Sequence, residues 1–341
     1  QLPRGCLTAG PCLFALLVAC SSGSPPVDPV ADSHWPQYRG DQQGTGYSAL
    51  EQINTDNIED LSLAWEYRTG DLEKYGELLK SKSALLVTPI LLPEDAGGAL
   101  LLCTPFSEVI ALDPASGQER WRYDPGVDVA GNHRPGKCRG VSWWRDANSA
   151  QSSPCRDRII AATHDRRLLA LDARSGELCP GFGTNGVVEL YNPQQGYQPG
   201  DIATSSAPVV ASGRIVVGSA VIDFQKTHAP RGTVEAFDAK TGEKAWTFEL
   251  IPGPDSDDAE ALASWPVNAR ELTGGTNAWA PMSADPDRDM VFVPTGAPSP
   301  DYYGAMRPGN NLNANSVLAL RLSTGLLVWR YQFTHHDLWD Y

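Results

Sequence analysis

Two short strings in the C-terminal part of the chain carry the side chains with the clearest chemical potential. The first is GGTNAWAP at residues 274–281, and the second is HHDLWDY at residues 335–341. Together they supply carboxylate, amide, imidazole and indole groups, which bind metal ions, transfer protons and stack on planar rings. These strings are the strongest functional signal in the sequence.

Several other functions are excluded by composition and by missing motifs. The net charge of −14 and the lack of a basic run argue against nucleic acid as a partner. The sequence contains no Cys-x-x-Cys or His-x-x-x-His spacing that would predict a zinc site. It also contains no Cys-x-x-Cys-His motif that would predict covalently attached heme. A nicotinamide cofactor is also disfavoured, because no Gly-x-Gly-x-x-Gly follows a strand and opens a helix.

The elements that must position these strings are marked by a repeated phrase, Ala-x-Asp-x-x-Ser/Thr-Gly, with a Trp four residues after the Gly. The second copy lacks the Trp, the fourth has Arg321 in place of Asp, and the copies begin at Ala111, Ala170, Ala236 and Ala319. Asp accepts hydrogen bonds from backbone amides two residues on, and Gly adopts a positive φ, so the phrase predicts a hairpin turn. The Trp predicts a large apolar face buried between neighbouring sheets.

The segments around each phrase indicate an all-β fold. Short β-branched runs such as RIVVG at residues 214–218 predict strands of roughly four to eight residues, and helical periodicity is almost absent. Repeats spaced by roughly sixty to eighty residues favour four-stranded blades with insertions in a β-propeller. A pair of β-sandwiches is the alternative.

The N-terminal residues predict export. We divide the chain into a leader at residues 1–20, a linker at residues 21–34 and a partial propeller at residues 35–341. The apolar run LFALLVA at residues 13–19 is too short to span a bilayer and ends at Cys20. LVAC resembles a bacterial lipobox, which makes Cys20 a candidate lipidation site, and an ordinary secretory signal is the alternative.

Four cysteines lie in the body of the chain, and in an oxidising compartment they can pair in three ways. Cys138 and Cys155 bracket a loop rich in Pro, Ser and charged residues, so a disulfide between them is the first expectation. Free buried thiols are the alternative. The other two are Cys103 and Cys179.

The two strings, joined to the Trp repeats, resemble the quinoprotein dehydrogenases that depend on pyrroloquinoline quinone (PQQ), and most closely the membrane-type glucose dehydrogenase branch. Supporting strings are WPQYRGD at 35–41, CRGVS at 138–142, PSPDYYG at 298–304 and RPG at 307–309. The resemblance covers about residues 35–341. It implies an eight-bladed propeller of four-stranded blades with Trp-docking repeats. The resemblance also implies that this chain is truncated to about the N-terminal half of that propeller.

The resemblance also implies a metal site and a catalytic base. Asp223, Asn277 and Asp340 match the family's metal-ligand positions, and Ca²⁺ or Mg²⁺ prefers such oxygen ligands. Asp340 aligns with the family's catalytic base, which takes the substrate hydroxyl proton while hydride leaves the same carbon for the quinone. Asp337 is the rival base, but the family pattern places the base directly after the Trp. A lanthanide remains an alternative metal. Lanthanide-using relatives have an additional acidic residue two positions after the base, which here would be residue 342.

The cofactor contacts follow from the same resemblance, because PQQ is an ortho-quinone bearing three carboxylates. Arg139 matches an arginine that binds a PQQ carboxylate, and Ser205 matches a hydroxyl that bonds the cofactor. Ser299 is a weaker candidate of the same kind. Trp279 is the first candidate for contact with the quinone ring, and the alternatives are Trp265 and Trp144, the latter standing where sugar-oxidising relatives tend to have His.

The function implied is periplasmic oxidation of a sugar, polyol or alcohol, with electrons passed to respiratory quinone and a lipid tether to the membrane. Alcohol-oxidising members carry a pair of adjacent cysteines beside the quinone, and the absence of such a pair here favours a glucose-type substrate. The alternative is a non-catalytic lipoprotein propeller that resembles the scaffold of the outer-membrane assembly machinery and works through protein contacts.

Overall fold

The computed structural model describes residues 34–76, 83–128, 136–192, 197–222, 224 and 226–340. Cys20 and Asp223 lie outside the described residues, and so do the predicted leader and most of the linker. In chain order, the strands are β1 Ser83–Leu85, β2 Ile90–Leu91, β3 Leu100–Cys103, β4 Val109–Leu112, β5 Glu119–Tyr123, β6 Gly136–Cys138, β7 Ser142–Arg145, β8 Asp157–Ala162, β9 Arg167–Asp172, β10 Val187–Glu189, β11 Ile202–Ala203, β12 Val209–Ala211, β13 Arg214–Gly218, β14 Ala220–Val221, β15 Thr233–Asp238, β16 Lys244–Glu249, β17 Ser283–Asp285, β18 Met290–Pro294, β19 Ser316–Arg321 and β20 Leu327–Gln332.

Most of these strands form four antiparallel sheets of four strands each, in the described part of the chain. The sheets are β2-β3-β4-β5, β7-β8-β9-β10, β12-β13-β15-β16 and β17-β18-β19-β20. In each sheet the strands lie in the order of the sequence, and the third sheet omits β14. Two further two-stranded pairings join β1 with β6 and β11 with β14. Four successive sheets, stacked one on the next, confirm the predicted all-β blade architecture over the β-sandwich alternative, while the total of eight blades stays a prediction.

Helices are few and short. Among the described residues they are α1 Asp71–Tyr75, α2 Ala259–Ser264 and α3 Val267–Leu272, and 3-10 turns cover Ile58–Asp60, Glu94–Ala96, Pro286–Arg288 and Gly304–Met306. Within the described ranges, no helix has the length and apolar character needed to cross a membrane.

Two of the three repeat Trp residues dock on the turn of the following sheet, whereas Trp329 of the fourth and last described sheet is 43% exposed. Trp121 donates from Nε1 to Ala173 O at 3.2 Å, and Trp246 donates to Leu322 O at 2.9 Å. Trp65, upstream of the first sheet, makes the same bond to Pro114 O at 3.1 Å. The repeat that lacks Trp places Phe182 beside the next turn instead, where Gly183 N donates to Thr241 O at 2.8 Å.

Successive side chains of each strand point to opposite faces of the sheet and fill the spaces on both sides of it. Ile159 of β8 packs into the core shared with the first sheet, whereas its neighbour Ile160 packs into the core shared with the third sheet. Val216 and Val291 likewise lie in the core between the third and fourth sheets. Each blade is therefore stabilised by its neighbours, as stacked repeats require.

The predicted turn chemistry is present, with one substitution. Asp172 accepts backbone hydrogen bonds from the residues two and three positions on, at 2.9 and 3.0 Å, and Asp238 does the same. In the fourth repeat, where Arg321 replaces Asp, the carboxylate of Asp289 accepts from Ser323 N at 2.8 Å. A neighbouring hairpin therefore supplies the missing acceptor.

The predicted Cys138–Cys155 disulfide is wrong. The structure pairs Cys103 with Cys138, with Cα atoms 6.0 Å apart, and Cys155 with Cys179, with Cα atoms 5.7 Å apart. Cys138 belongs to the core between the first and second sheets, whereas Cys155 packs against the core between the second and third. The second sheet therefore separates the two residues that bracket the loop.

One N-terminal segment touches the first strand of each four-stranded sheet. Trp35 pairs with Leu91, and Gln37 donates to Trp143 O at 3.1 Å. Gln42 donates to Val210 O at 3.0 Å and accepts from Ala284 N. Because these residues lie on β2, β7, β12 and β17, the four first strands must lie side by side, as at the hub of a propeller.

Substitution of Gly176 by Ala is expected to lower the free energy of unfolding by about 2–4 kcal/mol, because it adds backbone strain to a steric clash. Gly176 has φ of +74°, and a Cβ there would lie 2.5 Å from the Trp121 ring. Gly213→Ala is the matched control, since its φ is +72° but nothing lies within 4 Å of the added atom. Denaturant titration measures both, and equal losses would contradict Trp docking as the cause.

Candidate functional site

A cavity of about 410 Å³ lies where loops and strand ends of several sheets meet, which is within the usual range for small-molecule sites of about 300–1,000 Å³. Five of the predicted site residues line it: Arg139, Ser205, Asn277, Trp279 and Asp340. These residues come from distant parts of the chain, so the fold gathers what the sequence separates.

One wall of the cavity is held by Arg139. Its backbone is fixed on both sides, since its N–H donates to Ser205 O at 3.0 Å and its carbonyl accepts from Thr88 N at 2.8 Å. The guanidinium donates to Ser205 Oγ at 2.8 Å and lies 4.9 Å from the centre of the Trp279 ring. The arginine is thereby oriented before any anion arrives.

Trp279 is partly exposed, with 45% of its surface open, and its backbone carbonyl accepts a hydrogen bond from the Ser206 hydroxyl. This carbonyl also lies 3.5 Å from Ser205 Oγ. An indole held in this way can present an apolar face to a planar ligand.

Asn277 supplies an oxygen with no internal partner. The residue is 4% exposed, and its Oδ1 is buried without a hydrogen bond to any described residue. A buried acceptor left unsatisfied costs about 1–3 kcal/mol, so a bound group that satisfies it is expected. Its carbonyl chemistry suits a hard dication, and the residue fits a metal-binding role.

The string around Asn277 is held by close backbone approaches. A Cβ at Gly274 would lie 1.9 Å from Ala229 O, so only glycine fits there. Gly275 has φ of +70°, and Ser299 N donates to Gly274 O at 2.9 Å. These contacts explain why the string begins with two glycines.

Asp340 is an exposed carboxylate at the rim of the cavity. Partial burial and the nearby Asp337 carboxylate raise the pKa of Asp340 above its usual value. Burial also raises the pKa of Asp301, to which the charge of Asp340 contributes. A dication in the cavity would act in the opposite direction and keep Asp340 ionised.

Asp337, the rival base, is engaged in the loop itself. It is 2% exposed, and its carboxylate accepts from Asn315 Nδ2 at 2.9 Å and from Trp339 N at 2.9 Å. Its backbone carbonyl accepts from Arg307. These contacts favour a structural role for Asp337 in presenting Asp340.

Three further candidates do not line the cavity. Trp144 packs on the core between the second and third sheets, with the guanidinium of Arg158 5.0 Å from its ring centre. Trp265 is fully buried and donates to Leu312 O at 2.9 Å. Ser299 lies behind Gly275 and is 1% exposed. The geometry therefore gives no support to cofactor contacts from these side chains.

Sequence reasoning missed three polar residues that line the cavity: Lys137, His164 and Thr295. Lys137 could have been found, because it stands two residues before Arg139 in an extended segment and the two share a side of the strand. His164 lies in the turn between β8 and β9, and no motif marks it. Thr295 directly follows β18, and only the tertiary structure shows that it lines the cavity.

Similarity to known proteins agrees with this geometry. The E. coli K12 quinoprotein glucose dehydrogenase is 38% identical over 324 residues, which cover 92% of this chain and 39% of that protein. The glycerol dehydrogenase large subunit of Gluconobacter thailandicus is 35% identical, over 91% of this chain and 40% of that one. The chain thus spans about two fifths of the length of these relatives.

A solved structure shows the same similarity. The quinohemoprotein alcohol dehydrogenase from Comamonas testosteroni superposes with a TM-score of 0.71 at 28% identity, over 90% of this chain and 42% of that one. The sequence profile of the family described as "PQQ: Glucose/ethanol/alcohol dehydrogenase, beta-propeller domain" matches residues 35–341. The chain therefore belongs to the PQQ-dependent glucose/ethanol/alcohol dehydrogenase β-propeller family.

Proposed function

We propose that this chain carries the PQQ and divalent-metal site of a dehydrogenase that oxidises a sugar, polyol or alcohol. The observation that carries the proposal is a single cavity lined by an oriented arginine, an unsatisfied amide oxygen and a carboxylate, from Arg139, Asn277 and Asp340. Arg139 suits an anionic cofactor, Asn277 suits a hard cation, and Asp340 can accept a proton. The family match favours this activity over a non-catalytic scaffold.

The residues that line the cavity divide the tasks of the mechanism among them. Arg139 binds a carboxylate of the quinone, Ser205 keeps the guanidinium in place, and Trp279 offers an apolar face to the rings. Asn277 and Asp340 would hold the dication, and Asp223, which lies outside the described residues, is the third ligand that the family resemblance implies. When bound, the quinone supplies the hydride acceptor and the dication supplies the charge that polarises it. Asp340 accepts the proton of the substrate hydroxyl at its carboxylate oxygen.

We also propose a substrate class, an electron acceptor, a location and a metal. A glucose-type substrate is supported by the name of the E. coli relative and by the lack of adjacent cysteines in this chain. We further propose respiratory quinone as the electron acceptor, the periplasm as the location and Cys20 as a lipid anchor. Ca²⁺ or Mg²⁺ is the proposed metal, with a lanthanide as an alternative.

Reconstitution tests the function directly. The full natural chain that carries this sequence is loaded with PQQ and Ca²⁺ or Mg²⁺, and dye reduction is followed with glucose, glycerol and ethanol. We expect activity only when cofactor and metal are both present, and loss on chelation with recovery when metal is restored. Inactivity with every sugar and alcohol would contradict the proposal and favour the scaffold.

A further inference from the structure

Lys137 is one of three polar residues of the cavity wall, with His164 and Thr295, that have no role in the proposed mechanism. It lies on β6, whose register pairs it with Ala84 of β1, and it lines the same cavity as Arg139. Residues two apart in an extended segment point to the same side, and Cys138 between them points into the core. Lys137 and Arg139 therefore form a pair of cationic side chains on one wall.

The backbone that carries this pair is fixed from several directions. A Cβ at Gly136 would lie 2.6 Å from Pro105 O, so the strand approaches the first sheet closely. The disulfide from Cys138 to Cys103 ties the same strand to β3, and Arg139 is bonded on both sides. The backbone positions that carry the two cationic side chains are thus fixed before a ligand binds, which lowers the entropic cost of binding.

Lys137 also differs from the other described lysines in having no carboxylate partner. Lys74, Lys226, Lys240 and Lys244 each form a salt bridge with Asp or Glu. Lys137 forms none with any described residue, although the chain has 41 acidic and 27 basic residues. A half-buried lysine that lines a cavity and forms no salt bridge with any described residue suits an anionic ligand.

We propose that Lys137 binds a second carboxylate of the quinone cofactor, beside the carboxylate bound by Arg139. The inference rests on the proposed PQQ site and adds a residue to it. Asp340, the carboxylate that lines the same cavity, does not satisfy Lys137, because its proposed partner is the dication. Two cationic side chains on one wall, carried by a fixed backbone, match a ligand with several carboxylates on one rigid ring system.

Binding of PQQ, measured by quenching of Trp fluorescence in the full natural chain with saturating Ca²⁺, tests the inference without an activity assay. Lys137→Gln is expected to raise Kd about 10-fold, equivalent to about 1.4 kcal/mol. Lys137→Arg keeps the charge and is expected to stay within about threefold of the wild type. Lys240→Gln is the matched control, because it removes the same charge from an exposed turn and leaves Kd unchanged.

The trimethyl ester of PQQ separates the carboxylate contact from a change in the fold. It lacks the charges that Lys137 would bind, so Lys137→Gln and wild type should bind it equally. An equal Kd for PQQ in Lys137→Gln and wild type would overturn the inference, and so would an equal loss of affinity for PQQ and its ester. Failure of the wild type itself to bind PQQ would instead overturn the proposed function.

Discussion

Replacing Asp340 by Asn is expected to lower the turnover number by about 10²- to 10⁴-fold, the usual contribution of a positioned general base. The amide keeps the size of the side chain but cannot accept the substrate proton. Asp340 lines the cavity with Arg139 and Asn277, so its carboxylate is placed for this task. Dye reduction at saturating PQQ, metal and substrate measures the effect.

Asp337→Asn is the control for the Asp340 substitution. Its carboxylate accepts two hydrogen bonds within the loop, so we expect a lower unfolding temperature and a much smaller loss of turnover. PQQ affinity is measured for both variants, to separate lost chemistry from a lost cofactor. Turnover of Asp340→Asn above one tenth of the wild-type value would contradict its assignment as the base.

The parts of this site that sequence predicts are those tied to a motif. Asn277 and Trp279 stand in one string and Asp340 in another, and the fold brings both strings to one cavity. Their spacing is local, so a family pattern can identify them. Trp144 shows the limit, because both sides of β7 carry large side chains and only packing decides which side meets a ligand.

Pairings across the chain were less predictable. Cys138 is nearer to Cys155 than to Cys103 in sequence, yet the second sheet separates the first two and the disulfide forms with Cys103. The Asp289 carboxylate that serves the fourth repeat comes from another hairpin, which no repeat alignment would identify. Such contacts depend on how sheets stack, and hydrophobic alternation does not specify them.

Arg307 explains how the loop that carries Asp340 is held, and its substitution is expected to have the largest effect on stability. The side chain is fully buried and donates to the carbonyl oxygens of Pro300 and Asp301 at 3.1 and 3.2 Å. It also donates to the carbonyl of Asp337 and to Asn311 Oδ1. One guanidinium therefore joins three separate segments beneath the cavity rim.

Arg307→Met removes all of these donors and leaves buried carbonyls unpaired, each at a cost of about 1–3 kcal/mol. We expect the free energy of unfolding to fall by about 3–5 kcal/mol, with a loss of turnover because Asp340 is no longer held in place. Arg307→Lys should recover part of the stability, since it keeps the charge but lacks the planar fork of donors.

The control for Arg307 is Arg288→Met, which removes an exposed arginine from the fourth sheet and should leave the unfolding midpoint unchanged. Denaturant titration gives the stability, and PQQ binding shows whether the cavity survives. A stable Arg307→Met variant with normal turnover would show that other contacts present Asp340. Loss of turnover with Kd for PQQ intact would instead locate the defect in the loop that carries the base, as these contacts predict.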